Sequence, residues 1–100
     1  MKVISSDSEK HFSQRVFDLA RLFGWLAIRY PTFRATAATP GFPDLTLTRR
    51  GRLIFAELKM PKGRLTTAQS EWIKALRVVP DVEVYVWYPG DWDEIKRTLA

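Results

Sequence analysis

The chain has 100 residues, which suffices for one domain with a single hydrophobic core and is too short for two. Hydrophobic residues make up 46% and charged residues 27%, which excludes the composition of a disordered chain. The net charge of +5 is compatible with a polyanionic partner, and the absence of cysteine excludes disulfides, thiolate-bound zinc and a cysteine nucleophile. We therefore expect residues 1–100 to form a single domain.

The sequence carries no sign of a membrane segment or a signal peptide. No apolar stretch approaches the roughly 20 residues that a membrane-spanning helix needs. Met1-Lys2-Val3-Ile4 is followed by four polar residues rather than by the apolar core of a signal peptide. We expect a soluble, intracellular protein of the cytoplasm with no membrane partner, since a reducing compartment suits a chain without cysteine.

The first predicted element is an amphipathic helix over residues 8–23. Its apolar residues recur at three- and four-residue steps, namely Phe12, Val16, Leu19, Ala20 and Phe23. Gly24 supplies the left-handed conformation that ends helices. Residues 25–30 favour a short strand that Pro31 stops. Thr, Ala, Pro and Gly predominate between Pro31 and Pro43, where we expect a loop that is mobile without ligand.

A β-hairpin is predicted after this loop. Residues 45–49 alternate apolar and polar side chains, Arg50-Gly51 suits a tight turn, and residues 52–59 resume an extended pattern. The two segments are therefore expected to pair as antiparallel neighbours.

A second helix, a strand and a third helix complete the predicted order. Thr66 or Thr67 caps the second helix, whose apolar face consists of Trp72, Ile73, Leu76 and Val79. Residues 82–87 form a strand of the buried type, and Asp91 caps a last helix that runs through Leu99. This order predicts an α/β domain with a small mixed sheet flanked by helices, in which a helical crossover makes the last strand parallel to its neighbour.

Three charged residues are expected to converge at one end of the hairpin. Asp44 precedes the first strand, while Glu57 and Lys59 lie two residues apart on the second strand and so project from the same face. Burying such charges in an apolar strand is costly unless they are paired, bound to a metal or open to a cleft. The alternation therefore indicates a functional site.

Two neighbouring carboxylates suit a hard divalent cation such as Mg2+ or Mn2+, which prefers oxygen ligands. A metal held in this way lowers the pKa of a bound water and neutralises charge on a phosphate under attack. Lys59 is placed to orient that water or to stabilise the transition state as a point charge. The pattern thus predicts metal-dependent hydrolysis of a phosphodiester.

A run of basic residues accompanies these candidates and predicts contacts with DNA phosphates. Between positions 49 and 64 the sequence has a single acid, Glu57, against six cations. Lys59 is the candidate catalytic lysine among these cations. The predicted DNA-binding residues are the other five, Arg49, Arg50, Arg52, Lys62 and Arg64.

The sequence resembles the VRR-NUC family of the PD-(D/E)XK nuclease superfamily over nearly its whole length. The resemblance is carried by the helix at Glu9 and by Gly24-Trp25, Gly41-Phe42-Pro43-Asp44-Leu45, Glu57-Leu58-Lys59, Lys62-Gly63-Arg64-Leu65-Thr66, Gln69 and Trp72. It implies a restriction-endonuclease-like core with the order αβββαβ, followed here by a C-terminal helix.

The resemblance also implies roles for single residues of the hairpin. Asp44 and Glu57 match the metal ligands of the family, with the backbone carbonyl of Leu58 as a further ligand. Lys59 matches its catalytic lysine.

Two helical residues extend the implied site. Glu9 matches an acid that the superfamily often carries on its first helix, where it orients the site or supports a second metal. Two alternatives stay open: Gln14 is the residue that reaches the site, or Glu9 is a first-turn acid favoured by the helix dipole. Gln69 matches the glutamine of the second helix, which contacts the lysine, a water or the phosphate, unless it is a plain surface residue.

Stand-alone members of this family resemble phage-encoded Holliday-junction resolvases. The resemblance therefore implies a homodimeric endonuclease that cuts branched DNA with Mg2+ or Mn2+. Two alternatives remain from the sequence. One is a sequence-specific or flap-type nuclease on the same core, and the other is a DNA-binding module without catalysis.

Overall fold

The computed structural model describes residues 6–30 and 40–100 as three helices and four strands. In chain order these are α1 (Ser6–Leu22), β1 (Leu26–Arg29), β2 (Leu45–Arg49), β3 (Arg52–Leu58), α2 (Thr67–Arg77), β4 (Val82–Trp87) and α3 (Trp92–Leu99), with a short 3-10 helix at Pro89–Asp91 before α3. The predicted loop lies mostly outside the described residues, as does the segment Met1-Lys2-Val3-Ile4.

The four strands form one mixed sheet in the order β1-β2-β3-β4. β1 pairs antiparallel with β2, and β2 pairs antiparallel with β3. β4 pairs parallel with β3, as the helical crossover through α2 requires. The prediction of an α/β chain with a small mixed sheet and flanking helices is confirmed.

The hairpin between β2 and β3 closes through Arg50 and Gly51. Their φ angles are 52° and 82°, so both residues adopt the left-handed conformation of a two-residue hairpin turn. This turn pairs Arg49 with Arg52 and fixes the register of the two strands, in which Leu45 faces Ala56. The register also brings the residue before β2 close to the end of β3.

One face of the sheet packs against α1 and α3. Alternate residues of the strands point to this face and pack against the apolar side of both helices. The buried core consists of Phe12, Val16, Ala20, Trp25, Leu45, Leu47, Ile54, Ala56, Trp87, Ile95 and Leu99. On the opposite face, Phe42 contacts Phe55 of β3 and Trp72 of α2 with ring centroids 5.8 and 5.0 Å apart. The sheet is thus covered by helices on both sides.

Trp25 joins the beginning of the sheet to the last helix. Its side chain is 3% exposed, and its indole N–H donates to the carbonyl of Leu99 over 2.9 Å. The guanidinium of Arg49 lies over the indole ring and donates to the carbonyls of Phe23 and Leu99. A buried indole needs such an acceptor, since an unpaired N–H in the core is destabilising.

Three local predictions were wrong. β4 is half-buried apart from Trp87, because it lies at the edge of the sheet. Val79 follows the end of α2 and is 43% exposed, so it does not belong to the apolar face of that helix. Asp91 is the N-cap residue of α3, but its carboxylate forms no cap hydrogen bond with that helix and instead accepts one from the backbone N–H of Tyr88 over 2.9 Å.

Within the described parts of the chain, no helix is long and apolar enough to cross a lipid bilayer.

Gly41 should be the glycine that tolerates substitution least. Its φ is +89°, and a Cβ there would lie 2.5 Å from the carbonyl carbon of Ala68 at the start of α2. Gly51 has a similar φ of +82°, but its Cβ would meet nothing within 4 Å. We expect Gly51→Ala to lower the free energy of unfolding by about 1 kcal/mol through backbone strain alone. Gly41→Ala should lower it by about 3 kcal/mol, because α2 must also move.

Urea unfolding followed by tryptophan fluorescence measures this difference between the two variants. Equal losses for Gly41→Ala and Gly51→Ala would show that α2 does not rest on the backbone of the segment before Asp44.

Candidate active site

Asp44 is held in place by the backbone of the two neighbouring strands. Its carboxylate Oδ2 accepts a hydrogen bond from the N–H of Leu58 over 2.8 Å, and its own carbonyl accepts one from Tyr30 over 2.8 Å. The side chain therefore takes the place of a backbone acceptor at the end of the hairpin. This fixes the carboxylate beside the last residues of β3.

Glu57 is the only buried charged residue among those that the structure describes, with 3% of its surface exposed. Its Oε2 lies 3.7 Å from the ammonium Nζ of Lys59, whose side chain is 16% exposed. The carboxyl groups of Glu57 and Asp44 are also close enough for each to shift the pKa of the other. The three residues predicted to converge are thus brought together.

The carboxyl pair has a raised affinity for protons. Burial raises the pKa of Glu57 to about 8, and the charge of Asp44 contributes, while Lys59 opposes the shift. Burial also raises the pKa of Asp44, against the hydrogen bond from Leu58 and the charge of Lys59. In the absence of a metal, the two carboxyls therefore share a proton at neutral pH.

A cleft of about 810 Å³ opens at this end of the sheet. Residues of α1, of the end of β1, of the hairpin and of α2 line it, among them Glu9, Lys10, Gln14, Arg29, Tyr30, Asp44, Glu57, Lys59 and Gln69. All five residues predicted to be catalytic therefore face one space. That space is open to solvent on the side away from the core.

The two candidates on α1 differ in what they contact. Glu9 is exposed, and its charge makes the smallest of the contributions that raise the pKa of Asp44. The side-chain amide of Gln14 donates to Asp18 over 2.7 Å, and its carbonyl accepts from Arg29 over 3.0 Å. Gln14 therefore holds an arginine in the cleft, whereas Glu9 lies in the same cleft and acts on Asp44 through its charge.

Gln69 has a structural contact in addition to its place in the cleft. Its side-chain Oε1 accepts from the N–H of Thr66, and its own N–H donates to the Thr66 hydroxyl, at 2.8 and 3.1 Å. These bonds form a capping box at the start of α2. The side-chain amide nitrogen of Gln69 is left as the group that can donate to a ligand.

The predicted basic cluster is divided in space. Arg49, Arg50 and Arg52 lie at the turn of the hairpin, at least five residues along the strands from the carboxyl pair, or about 17 Å at roughly 3.3 Å per residue. Arg52 forms a two-point ion pair with Glu83 at 2.7 Å, and Arg49 is bonded to backbone carbonyls. These three arginines therefore lie away from the candidate catalytic residues, and their contact with DNA stays a prediction.

Lys62 and Arg64 lie in the turn that follows Lys59. Gly63 between them donates to the carbonyl of Met60 over 2.7 Å, and its carbonyl accepts from the hydroxyl of Tyr88. Both basic side chains are exposed. Of the five predicted DNA-binding residues, these two lie next to the cleft.

The carboxylates of Asp44 and Glu57 are suitable ligands for a hard divalent cation, although they are only two. No group of three acidic, histidine or cysteine side chains able to hold a metal occurs within residues 6–30 and 40–100. The half-buried Asp44 and the buried Glu57 nevertheless form a carboxyl pair, with Lys59 3.7 Å from Glu57. A divalent cation would replace the shared proton and complete its coordination with waters and a phosphate oxygen.

Sequence reasoning missed Arg29, Lys10 and Tyr30, which also line the cleft. Arg29 is the last residue of β1 and pairs with Leu45, so it lies one strand away from Asp44. The pattern of so short a strand does not indicate that Arg29 faces the cleft, because the cleft is formed by elements distant in sequence. The one indication in the sequence is that Arg29 lies at the end of a strand that is followed by a proline.

Neither a scan against models of known protein families nor a search of curated proteins finds a match for this chain.

The raised pKa of Glu57 predicts a pH-dependent stability without metal. Between about 4.5, the ordinary value, and about 8, Glu57 is protonated in the folded chain and ionised in the unfolded one. Unfolding then releases a proton, so the free energy of unfolding falls as the pH rises through this window. Glu57→Gln should remove most of that fall, since the amide does not titrate.

The measurement is urea unfolding in EDTA at pH 5.5, 7 and 8.5. Glu71→Gln, a change at an exposed position of α2, serves as the matched control and should keep the wild-type dependence. The same fall in wild type and Glu57→Gln would refute the assignment of this proton to Glu57.

Proposed function

We propose that this protein is a nuclease that hydrolyses DNA phosphodiesters with Mg2+ or Mn2+. The observation that carries the proposal is the carboxyl pair of the buried Glu57 and the half-buried Asp44, with Lys59 at 3.7 Å from Glu57, in an open cleft. Buried carboxyls with raised pKa values are unfavourable for folding, and their retention in a cleft is typical of functional sites.

Asp44 and Glu57 would hold the metal, with the carbonyl of Leu58 and Glu9 as further candidates. The metal, when bound, supplies an acidified water and neutralises charge on the phosphate. Asp44 is kept rigid by the N–H of Leu58, which fixes the orientation of its carboxylate. This rigidity favours a metal such as Mg2+, which needs regular octahedral geometry.

Lys59 would act on the attacking water and on the transition state. Its ammonium is half-buried near Glu57 and remains within reach of the cleft. A positive charge there stabilises the hydroxide form of a water and the extra negative charge of the pentacovalent phosphorus. The amide nitrogen of Gln69 is placed to donate to the same water or to a phosphate oxygen.

The finer assignment is a restriction-endonuclease-like core of the VRR-NUC type. The order α1-β1-β2-β3-α2-β4 is the order that the resemblance implies, and the motif residues Asp44, Glu57, Lys59 and Gln69 face one cleft. Both observations support this assignment. It would make the protein a homodimeric nuclease selective for branched DNA such as Holliday junctions, of the stand-alone type found in phages.

Removing a metal ligand or the lysine should abolish cleavage. We expect Asp44→Asn and Lys59→Met each to lower the rate of metal-dependent nicking of supercoiled plasmid by at least about 100-fold, because each removes charge stabilisation at the reacting phosphate. Lys74→Met, at an exposed position of α2, is the matched control and should keep wild-type activity.

Nicking should also require Mg2+ or Mn2+ and stop in EDTA. If the wild type binds DNA but does not cleave it with either metal, the nuclease proposal is wrong and the protein is a DNA-binding module.

The substrate is distinguished by a panel of labelled DNA molecules of equal length. We expect paired, symmetric cuts in a four-way junction and little cutting of the linear duplex of the same sequence, because two sites of a dimer act on the two opposed strands. Discrete fragments from the linear duplex would indicate a sequence-specific enzyme, and cutting confined to flaps would indicate a flap nuclease. Sedimentation velocity measures the oligomeric state in the same buffer.

A further inference from the structure

Arg29 occupies an unusual position for an exposed surface arginine. It ends β1, where its backbone pairs with Leu45, and the next residue donates its N–H to the carbonyl of Asp44. The side chain therefore starts one strand away from the candidate metal ligands. It lines the same cleft as Asp44 and Glu57.

Two residues of α1 hold the Arg29 side chain in a defined orientation. The carbonyl of Gln14 accepts from Nη1 over 3.0 Å, and the ring of Phe17 lies under the guanidinium with its centroid 4.6 Å away. Gln14 itself is oriented by donating to Asp18, because an ionised carboxylate only accepts and a guanidinium only donates. The chain Asp18, Gln14, Arg29 thus has one consistent direction of hydrogen bonding.

The contacts of Arg29 leave most of its donors free. Among the described residues it forms one hydrogen bond and no ion pair, although a guanidinium carries five N–H groups. Asp18 is bonded to Gln14 and not to Arg29. Without an ion pair to a residue of 6–30 or 40–100, the guanidinium keeps N–H groups that can donate as a planar fork to phosphate oxygens.

We infer that Arg29 binds a phosphate of the substrate backbone next to the one attacked at Asp44 and Glu57, and that Gln14 positions it. The inference rests on the proposed function for the identity of the attacked group. In this arrangement, the side of the cleft formed by α1 contacts the part of the DNA strand next to the cleaved phosphodiester. Gln14 then supports the site through Arg29 and is not a metal ligand.

Arg21 provides a matched control on the same aromatic ring. Its guanidinium lies 5.6 Å from the centroid of Phe17, yet it belongs to the last turn of α1 and does not line the cleft. Arg29→Ala and Arg21→Ala remove the same charge and the same kind of ring contact. Only the first removes a cation from the cleft.

The test measures binding to a labelled four-way junction and to a linear duplex in EDTA. The salt concentration is varied from about 50 to about 200 mM. We expect Arg29→Ala to weaken binding about tenfold and to reduce the salt slope by about 0.9, the value for one lost phosphate contact. Arg21→Ala should leave both unchanged. Arg29→Lys should restore the slope but only part of the affinity, because the charge returns without the fork.

Gln14→Ala should weaken binding by about threefold with an unchanged salt slope, because the charge of Arg29 is kept and its orientation is lost. In the double variant with Arg29→Ala, the Gln14 change should have no further effect. A Gln14 effect that persists without Arg29 would contradict the positioning role.

The phosphate that Arg29 contacts can be located with a set of duplexes, each of which has one phosphate replaced by an uncharged methylphosphonate. Replacement of the contacted phosphate should weaken binding of the wild type as much as Arg29→Ala does, and it should not weaken binding of Arg29→Ala further. An unchanged salt slope in Arg29→Ala, while the wild type cleaves DNA, would overturn the inference and leave the nuclease standing. A reduced slope in a protein that never cleaves would refute the nuclease and support the phosphate contact.

Discussion

The burial of Glu57 within a strand of the hydrophobic core is the constraint on which the site depends. A lone carboxylate in that position would destabilise the fold severely, since the loss of hydration is not repaid by apolar neighbours. Lys59 and a proton shared with Asp44 offset that cost here. The fold therefore tolerates Glu57 only while a positive charge, either a proton or a cation, stays at this point.

The surroundings of the pair make that requirement stricter. Phe55 lies two residues before Glu57 on the same face of β3, and Phe42 packs on its edge. Trp72 of α2 lies against Phe42 from the other side. These rings make the neighbourhood of Glu57 apolar, and a charge near the carboxyls interacts with them more strongly in such surroundings than in water.

The parts of the fold that were predictable from sequence are those set by local periodicity. Alternation in β2 and β3 placed Asp44, Glu57 and Lys59 on one side, and the glycine after Arg50 gave the turn that fixes their register. The crossover through α2 made β4 parallel. The Thr66 and Gln69 spacing is a capping signature that could have been read directly from the sequence.

The parts that were not predictable depend on contacts between distant elements. The basic residues from Arg49 to Arg52 are close to Glu57 in sequence, but an extended strand carries them away at roughly 3.3 Å per residue. Arg52 then pairs with Glu83, a residue of β4. Arg29 enters the cleft only because α1 folds back over β1, which no local pattern encodes.

The hydrogen bond between Trp25 and the carbonyl of Leu99 joins residues 74 positions apart. Until Leu99 has been synthesised and has left the ribosome, the indole N–H has no partner in the core, and Ile95 cannot fill the space beside α1. The hairpin is local and can form early, whereas the docking of α3 against Trp25 closes a loop of about three quarters of the chain. Folding is therefore expected to pass through a partly packed sheet and to finish when α3 docks against Trp25.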